Sequence, residues 1–244
     1  MVCGSSPLGR LTMGGRSSVI ETNSTTGVDE SKPDEWSPPG YCSPKIYTSD
    51  ERWGLGIAIL LIPPVVVLIK QPLDSGTMVL TGWAEALGQS GLSNHPFVYI
   101  ALVLCGLCGW IIGSSVAIIA VHEGIHYATA CFRGLNPSFE WTSFYGVLSP
   151  SVVAYAQGIQ RWENILMLAA PFVCLSLICG GLMWMTEGLV SATAAIMFAV
   201  NAVPSGMDLY NVGRIVDLPR GTIFANLDTE DGLRTEYAVR ASRN

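Results

Sequence analysis

The stretch from Phe97 to Val121 carries no charged side chain. As a straight helix it would run about 37 Å at 1.5 Å per residue, longer than the ~30 Å hydrocarbon core of a bilayer. In hydrocarbon every backbone N–H and C=O must find a partner within the chain, which leaves such a segment little choice but helix. Composition extends the argument to the whole chain. Only 13% of its 244 residues are charged and 50% are hydrophobic, with a mean hydropathy of +0.41. Soluble domains carry about a quarter charged residues, so this is membrane composition. The net charge of −6 and pI near 5.0 argue against nucleic-acid binding.

The apolar run ends in His122-Glu123-Gly124-Ile125-His126. Residues four apart share a helix face, so both imidazoles can aim a nitrogen at one zinc ion. Glu123 is rotated off that face, placed to take a proton from water rather than to ligate. The chain has only three histidines, and two stand here. The plain alternative is a pair of satisfied polar side chains at a helix end.

Four membrane segments are expected. They are Trp53 to Ile69, kinked at Pro63-Pro64; Phe97 to about Cys131; Ile165 to Met185, containing Pro171; and Leu189 to about Asn211, with Pro204 near its end. Residues 1–50 are rich in Gly, Ser, Thr, Pro and acids and read as a disordered tail. They lack the basic start and apolar core of a signal peptide. The expected organisation is this tail, a membrane-embedded domain over 51–215, and a cytoplasmic segment over 216–244. Four of the seven cysteines lie in apolar runs. Cys105-Gly-Leu-Cys108 reads as small packing residues rather than a redox pair, because it lies mid-span.

Basic residues set the orientation. Lys45 and Arg52 precede the first segment, and Arg133 and Arg161 lie between the second and third. Arg214, Arg220, Arg234, Arg240 and Arg243 follow at or after the end of the fourth. The stretch from Gln71 to Pro96 has none, and reads as a loop on the opposite side. Both termini are therefore expected in the cytoplasm, in a multi-pass protein of the cell membrane. Asn23-Ser24-Thr25, a glycosylation acceptor by pattern, falls on the wrong side for modification. The second segment runs inward, which puts the two histidines near the cytoplasmic face.

A catalytic zinc takes three protein ligands and keeps one position open. Asp208 stands directly after the fourth apolar segment, at matching depth. Its alternative role is an interfacial cap after Pro204, and Glu140 and Glu163 in the polar loop compete as ligands. An acid at membrane depth is costly, about 2.5–3.5 kcal/mol at a helix centre, and usually has a cationic partner.

HExxH on one membrane helix, with Asn201-Ala-Val-Pro204 and Asp208 on a later one, resembles the site-2 protease class of intramembrane zinc peptidases. That resemblance implies His122, His126 and Asp208 as ligands of Zn2+, Glu123 as the catalytic base, and Asn201 as a residue that positions substrate or a ligand. The chain resembles more closely a family of small membrane zincins sharing HExxH, a Ser-Gly-x-Asp-Leu stretch and a tail like Leu218-Pro-Arg-Gly-Thr222. The likeness spans roughly residues 50–240. Pro204 to Asp208 is one residue shorter than the usual site-2 spacing, no Gly follows Asp208-Leu209, and no PDZ-like regulatory domain is present.

Between the second and third segments, Phe139, Trp141, Val152, Val153 and Tyr155 form β-prone runs around Gly146 and Pro150. They imply a short β-hairpin that takes an extended substrate by strand addition, or an interfacial loop with aromatic anchors. The expected fold is thus an all-α polytopic membrane protein of four transmembrane helices with a short β-hairpin in the cytoplasmic loop. The expected function is a zinc metallopeptidase acting on a membrane-protein or peptide substrate at the cytoplasmic membrane face. The competing reading is a non-catalytic membrane protein with a structural or vestigial metal site. A transporter is disfavoured because the segments show no internal repeat.

Overall fold

A computed structural model describes residue 36 and residues 38–91, 94–144, 147–229 and 232–241. Most of the tail expected over 1–50, the Asn23-Ser24-Thr25 pattern, Gly146 and Arg243 lie outside them. The fold is mostly helical, with four helices long and apolar enough to cross a membrane, and with small antiparallel sheets. The chain divides into two compact units. One holds residues 50–129 and 166–214; the other holds residues up to 49, 130–165 and 215 onward.

The helical unit is built from α1 (Glu51–Gln89), α2 (Pro96–Phe132), α3 (Arg161–Met185) and α4 (Gly188–Val216). Helix α1 corrects the sequence reading. Its expected end near Ile69 and the loop from Gln71 do not appear, because the helix continues through Pro63, Pro64 and Pro72 to Gln89. The polar residues that suggested a loop fold their hydroxyls back onto the helix. Ser75 donates to the Pro72 carbonyl at 2.9 Å, Thr77 to Asp74 at 2.8 Å and Thr81 to Met78 at 2.9 Å. Such back-bonding satisfies hydroxyls without water, so a helix tolerates them in apolar surroundings. At its start Asp50 caps the helix by accepting from the Arg52 N–H at 3.0 Å.

Helices α2, α3 and α4 share a core of Ile118, Leu175, Cys179 and Ala194. Trp110 on α2 donates to Thr193 on α4 at 2.9 Å. Cys179 packs as expected of a small residue, whereas Cys105, Cys108 and Cys174 are exposed, a correction to the packing assigned to the Cys105–Cys108 pair. Helix α4 is the most enclosed: 39% of its apolar window is buried, against 11% for α2.

Helix α1 meets α4 through glycines. A Cβ on Gly206 would sit 2.8 Å from the Gly54 carbonyl and from the Ala58 nitrogen, one on Gly54 would strike Met207, and one on Gly76 would strike Ala192. At Gly206 the backbones themselves meet, and at Gly54 and Gly76 the partner's side chain fills the space, the close approach that small residues permit between membrane helices. From Gly54 to Gly76 helix α1 rises about 33 Å, while from Ala192 to Met207 helix α4 rises only about 22 Å. Three prolines, Pro63, Pro64 and Pro72, lie between these two contacts of α1, where a long helix can bend.

The other unit is built on β-structure that an all-α reading did not include. Strands β1 (Lys45–Ile46), β4 (Ile159–Gln160), β5 (Ile223–Thr229) and β6 (Gly232–Ala238) form an antiparallel sheet in the order β1-β6-β5-β4. Lys45 pairs with Tyr237, Phe224 with Tyr237, and Ile159 with Phe224. Trp36, Ala225 and Ala238 make its core, and Tyr47 sets its ring edge-on to Phe224 at 5.8 Å. The segment after α4, expected only as a cytoplasmic stretch, thus supplies the two central strands.

The expected hairpin is present as β2 (Ser138–Phe144) and β3 (Val147–Val153). Pro150 does not belong to its turn; it lies within β3, opposite Trp141. Phe139 and Trp141, two apart and hence on one face, are both exposed. Tyr155 donates to the Glu140 carboxylate, and burial followed by this carboxylate pushes the Tyr155 hydroxyl up to about 12.

Candidate metal centre

Four side chains from α2 and α4 meet inside the helical unit. His122 and His126 stand one turn apart on α2, with ring centroids 4.9 Å apart and Nε2 atoms 3.2 Å apart. From α4, Asp208 Oδ2 lies 3.1 Å from His122 Nε2 and 3.4 Å from His126 Nε2. Asn201, seven residues before Asp208, occupies the same face two turns away. Its Oδ1 accepts from His122 Nδ1 at 2.8 Å, and both residues are buried.

The second ring is held differently. His126 Nδ1 donates to the backbone carbonyl of Met167 on α3 at 2.8 Å. A carbonyl can only accept, so this contact requires the proton on Nδ1 and, in the neutral ring, leaves Nε2 as a lone pair. The Asn201 amide oxygen imposes the same tautomer on His122. With both rings neutral, two lone pairs and a carboxylate oxygen converge on one region, an arrangement that a shared metal ion or proton relieves.

The donor geometry fits zinc. Tetrahedral bonds of 2.0–2.1 Å put ligand atoms about 3.3 Å apart. The three observed separations are 3.1, 3.2 and 3.4 Å. Nitrogen and carboxylate donors are zinc's usual partners. The nearest acid outside this set is Glu123, whose carboxylate lies with the two imidazoles in a group whose ligand atoms are within 4.8 Å of one another. The site is closed on one side and partly open on the other. The His122 side chain is 2% exposed, while His126 and Asp208 keep 13% and 14%.

All five residues expected from sequence stand together here. The competing acids are engaged elsewhere: Glu163 pairs with Arg133 at 3.0 Å and accepts from the Gln160 N–H, and Glu140 bonds Tyr155. The Met167 carbonyl was not anticipated. A backbone group carries no residue signature, and the only sequence sign of it is Pro171, four positions on.

Residues 115–223 match the profile of a family described as "Putative zincin peptidase". The matched stretch begins in α2 just before the histidines and ends where β5 starts. It supports a zinc-peptidase family for this chain, and zinc is the metal that a zincin in general holds. No curated protein and no solved structure matches the chain.

Proposed function

We propose that this chain is a membrane-embedded zinc metallopeptidase, akin to the site-2 protease class, that hydrolyses a peptide bond at or near the cytoplasmic membrane face. The observation that carries the reading is the convergence of His122 Nε2, His126 Nε2 and Asp208 Oδ2, with the Glu123 carboxylate close to both imidazoles. In this reading the triangle holds zinc. Bound there, the metal would polarise a peptide carbonyl and make a water molecule more acidic. Glu123 takes the proton from the attacking water and returns it to the departing amine. Asn201 and the Met167 carbonyl keep both imidazoles turned so that Nε2 faces inward. A set of three protein ligands, which leaves a coordination position for water, favours catalysis over a structural metal, which takes four protein ligands.

The membrane placement has two supports. One is the length and apolarity of the four helices. The other is the sheet, whose strands precede α1, connect α2 to α3, and follow α4. Hydrogen-bonded to one another, these three segments must share one side of any membrane the helices cross. The basic-residue bias makes that side the cytoplasm, with both termini on it. The open strand edges of β2–β3 suit an extended stretch of a membrane-protein or peptide substrate, which gives up helix before hydrolysis.

Metal analysis of the purified protein tests the reading. Wild type should carry one zinc per chain, and His126→Ala and Asp208→Ala should lose it. Wild-type protein without zinc, or variants that retain it, would refute the ligand set.

A further inference from the structure

We propose that Pro171 is a positioning residue of the metal centre: lacking an N–H, it leaves the Met167 carbonyl of α3 to His126 and so fixes which nitrogen His126 presents to the metal. This deepens the function proposed above and rests on it. In an α-helix the carbonyl of residue 167 accepts from the N–H of residue 171. Proline has none, and its ring tilts the carbonyl four residues back away from the helix axis. Inside an apolar bundle such an orphaned carbonyl needs another donor. His126 Nδ1 fills that need at 2.8 Å.

The consequence reaches the metal side of the ring. With the proton held on Nδ1, the Nε2 lone pair stands 3.2 Å from His122 Nε2 and 3.4 Å from Asp208 Oδ2. Pro171 is itself buried, in α3, so its ring is packed where it stands. An N–H restored at position 171 would draw the Met167 carbonyl back along the helix and weaken its hold on His126. The imidazole would then be free to rotate and to populate the other tautomer.

The test uses the full chain in detergent or nanodiscs, with Pro171→Ala and Pro171→Val, and with Pro72→Ala in α1 as control. Valine is closer to proline in volume and carries the test should alanine destabilise α3. Zinc affinity is measured by chelator competition, and the His126 tautomer in metal-free protein by 15N NMR. Partners that orient a ligand histidine typically contribute 10–100-fold to metal affinity. Both Pro171 variants should therefore bind zinc on the order of 10-fold or more weakly and lose the pure Nδ1–H signature, while Pro72→Ala changes neither. Unchanged affinity overturns the proposal, and so does an unchanged tautomer, since the proline would then act through packing alone. Should wild type bind no zinc, the metal reading fails, and the 15N spectra still decide whether Pro171 sets the tautomer.

Discussion

The two units of this chain differ in how their polar and apolar side chains are arranged. In the helical unit Leu60, Val67 and Leu177 lie more than 70% exposed, while His122, Asn201, Ser191 and Ser205 are sealed inside. In the sheet unit Phe224, Ala225 and Ala238 are sealed, and the buried Glu236 is paired with the more exposed Arg234 at 2.8 Å. The helical unit sets an apolar exterior around an interior that holds a polar cluster beside its apolar core, and such an exterior is stable only where the surroundings are themselves apolar. One chain therefore folds by two rules, and the polar cluster that would be a liability in a water-soluble core is here the part capable of chemistry.

The largest expected effect strikes the polar interior. Glu123→Gln keeps size and shape but removes the base, so peptide hydrolysis should fall 10²–10⁴-fold with zinc content unchanged. Activity of the purified variant, measured beside its metal content, checks this; full activity would end the zincin mechanism. In the sheet unit the corresponding blow is Phe224→Ala. It empties the centre of an apolar core and should remove about 3–5 kcal/mol of that unit's stability, seen as a lowered melting transition.

A charge on the outer surface sharpens the contrast further. Leu60→Lys should disfavour membrane insertion by about 2–3 kcal/mol, read by a glycosylation-reporter assay. Leu233→Lys, on an exposed position of β6, should leave sheet stability within about 0.5 kcal/mol. Equal effects at the two positions would erase the distinction between the units. A smaller change than that at Leu60 is expected from Asn201→Ala. It frees His122 Nδ1 without touching a proposed ligand, and zinc affinity should drop about 10-fold in chelator competition.

What the sequence made legible follows the range of the forces involved. Helices α2, α3 and α4 were readable because an apolar run declares itself locally. The true length of α1 was not, because Pro72, Asp74, Ser75 and Thr77 look like a loop until their hydroxyls are seen bonded to the helix itself. The hairpin was legible from β-prone runs, with Pro150 misassigned to its turn. The four-stranded sheet was hidden. Two of its strands are two residues long, and pairing Lys45 with Tyr237 is a relation between distant positions that no local pattern records. At the metal centre, helical spacing brought out the histidines and depth favoured Asp208, while Asn201 came from the resemblance alone.

The strand order carries a consequence for how the protein comes into being. Lys45–Ile46 and Ile159–Gln160 leave the ribosome early, yet their partners, β6 and β5, are made only after all four helices. Until residues 223–238 emerge, the earlier strands have no edge to join, so the sheet cannot form in step with synthesis and must close at its finish. Strands β5 and β6 thereby complete the sheet. A nascent chain halted just after α4 would hold β1 and β4 without the strands they pair with.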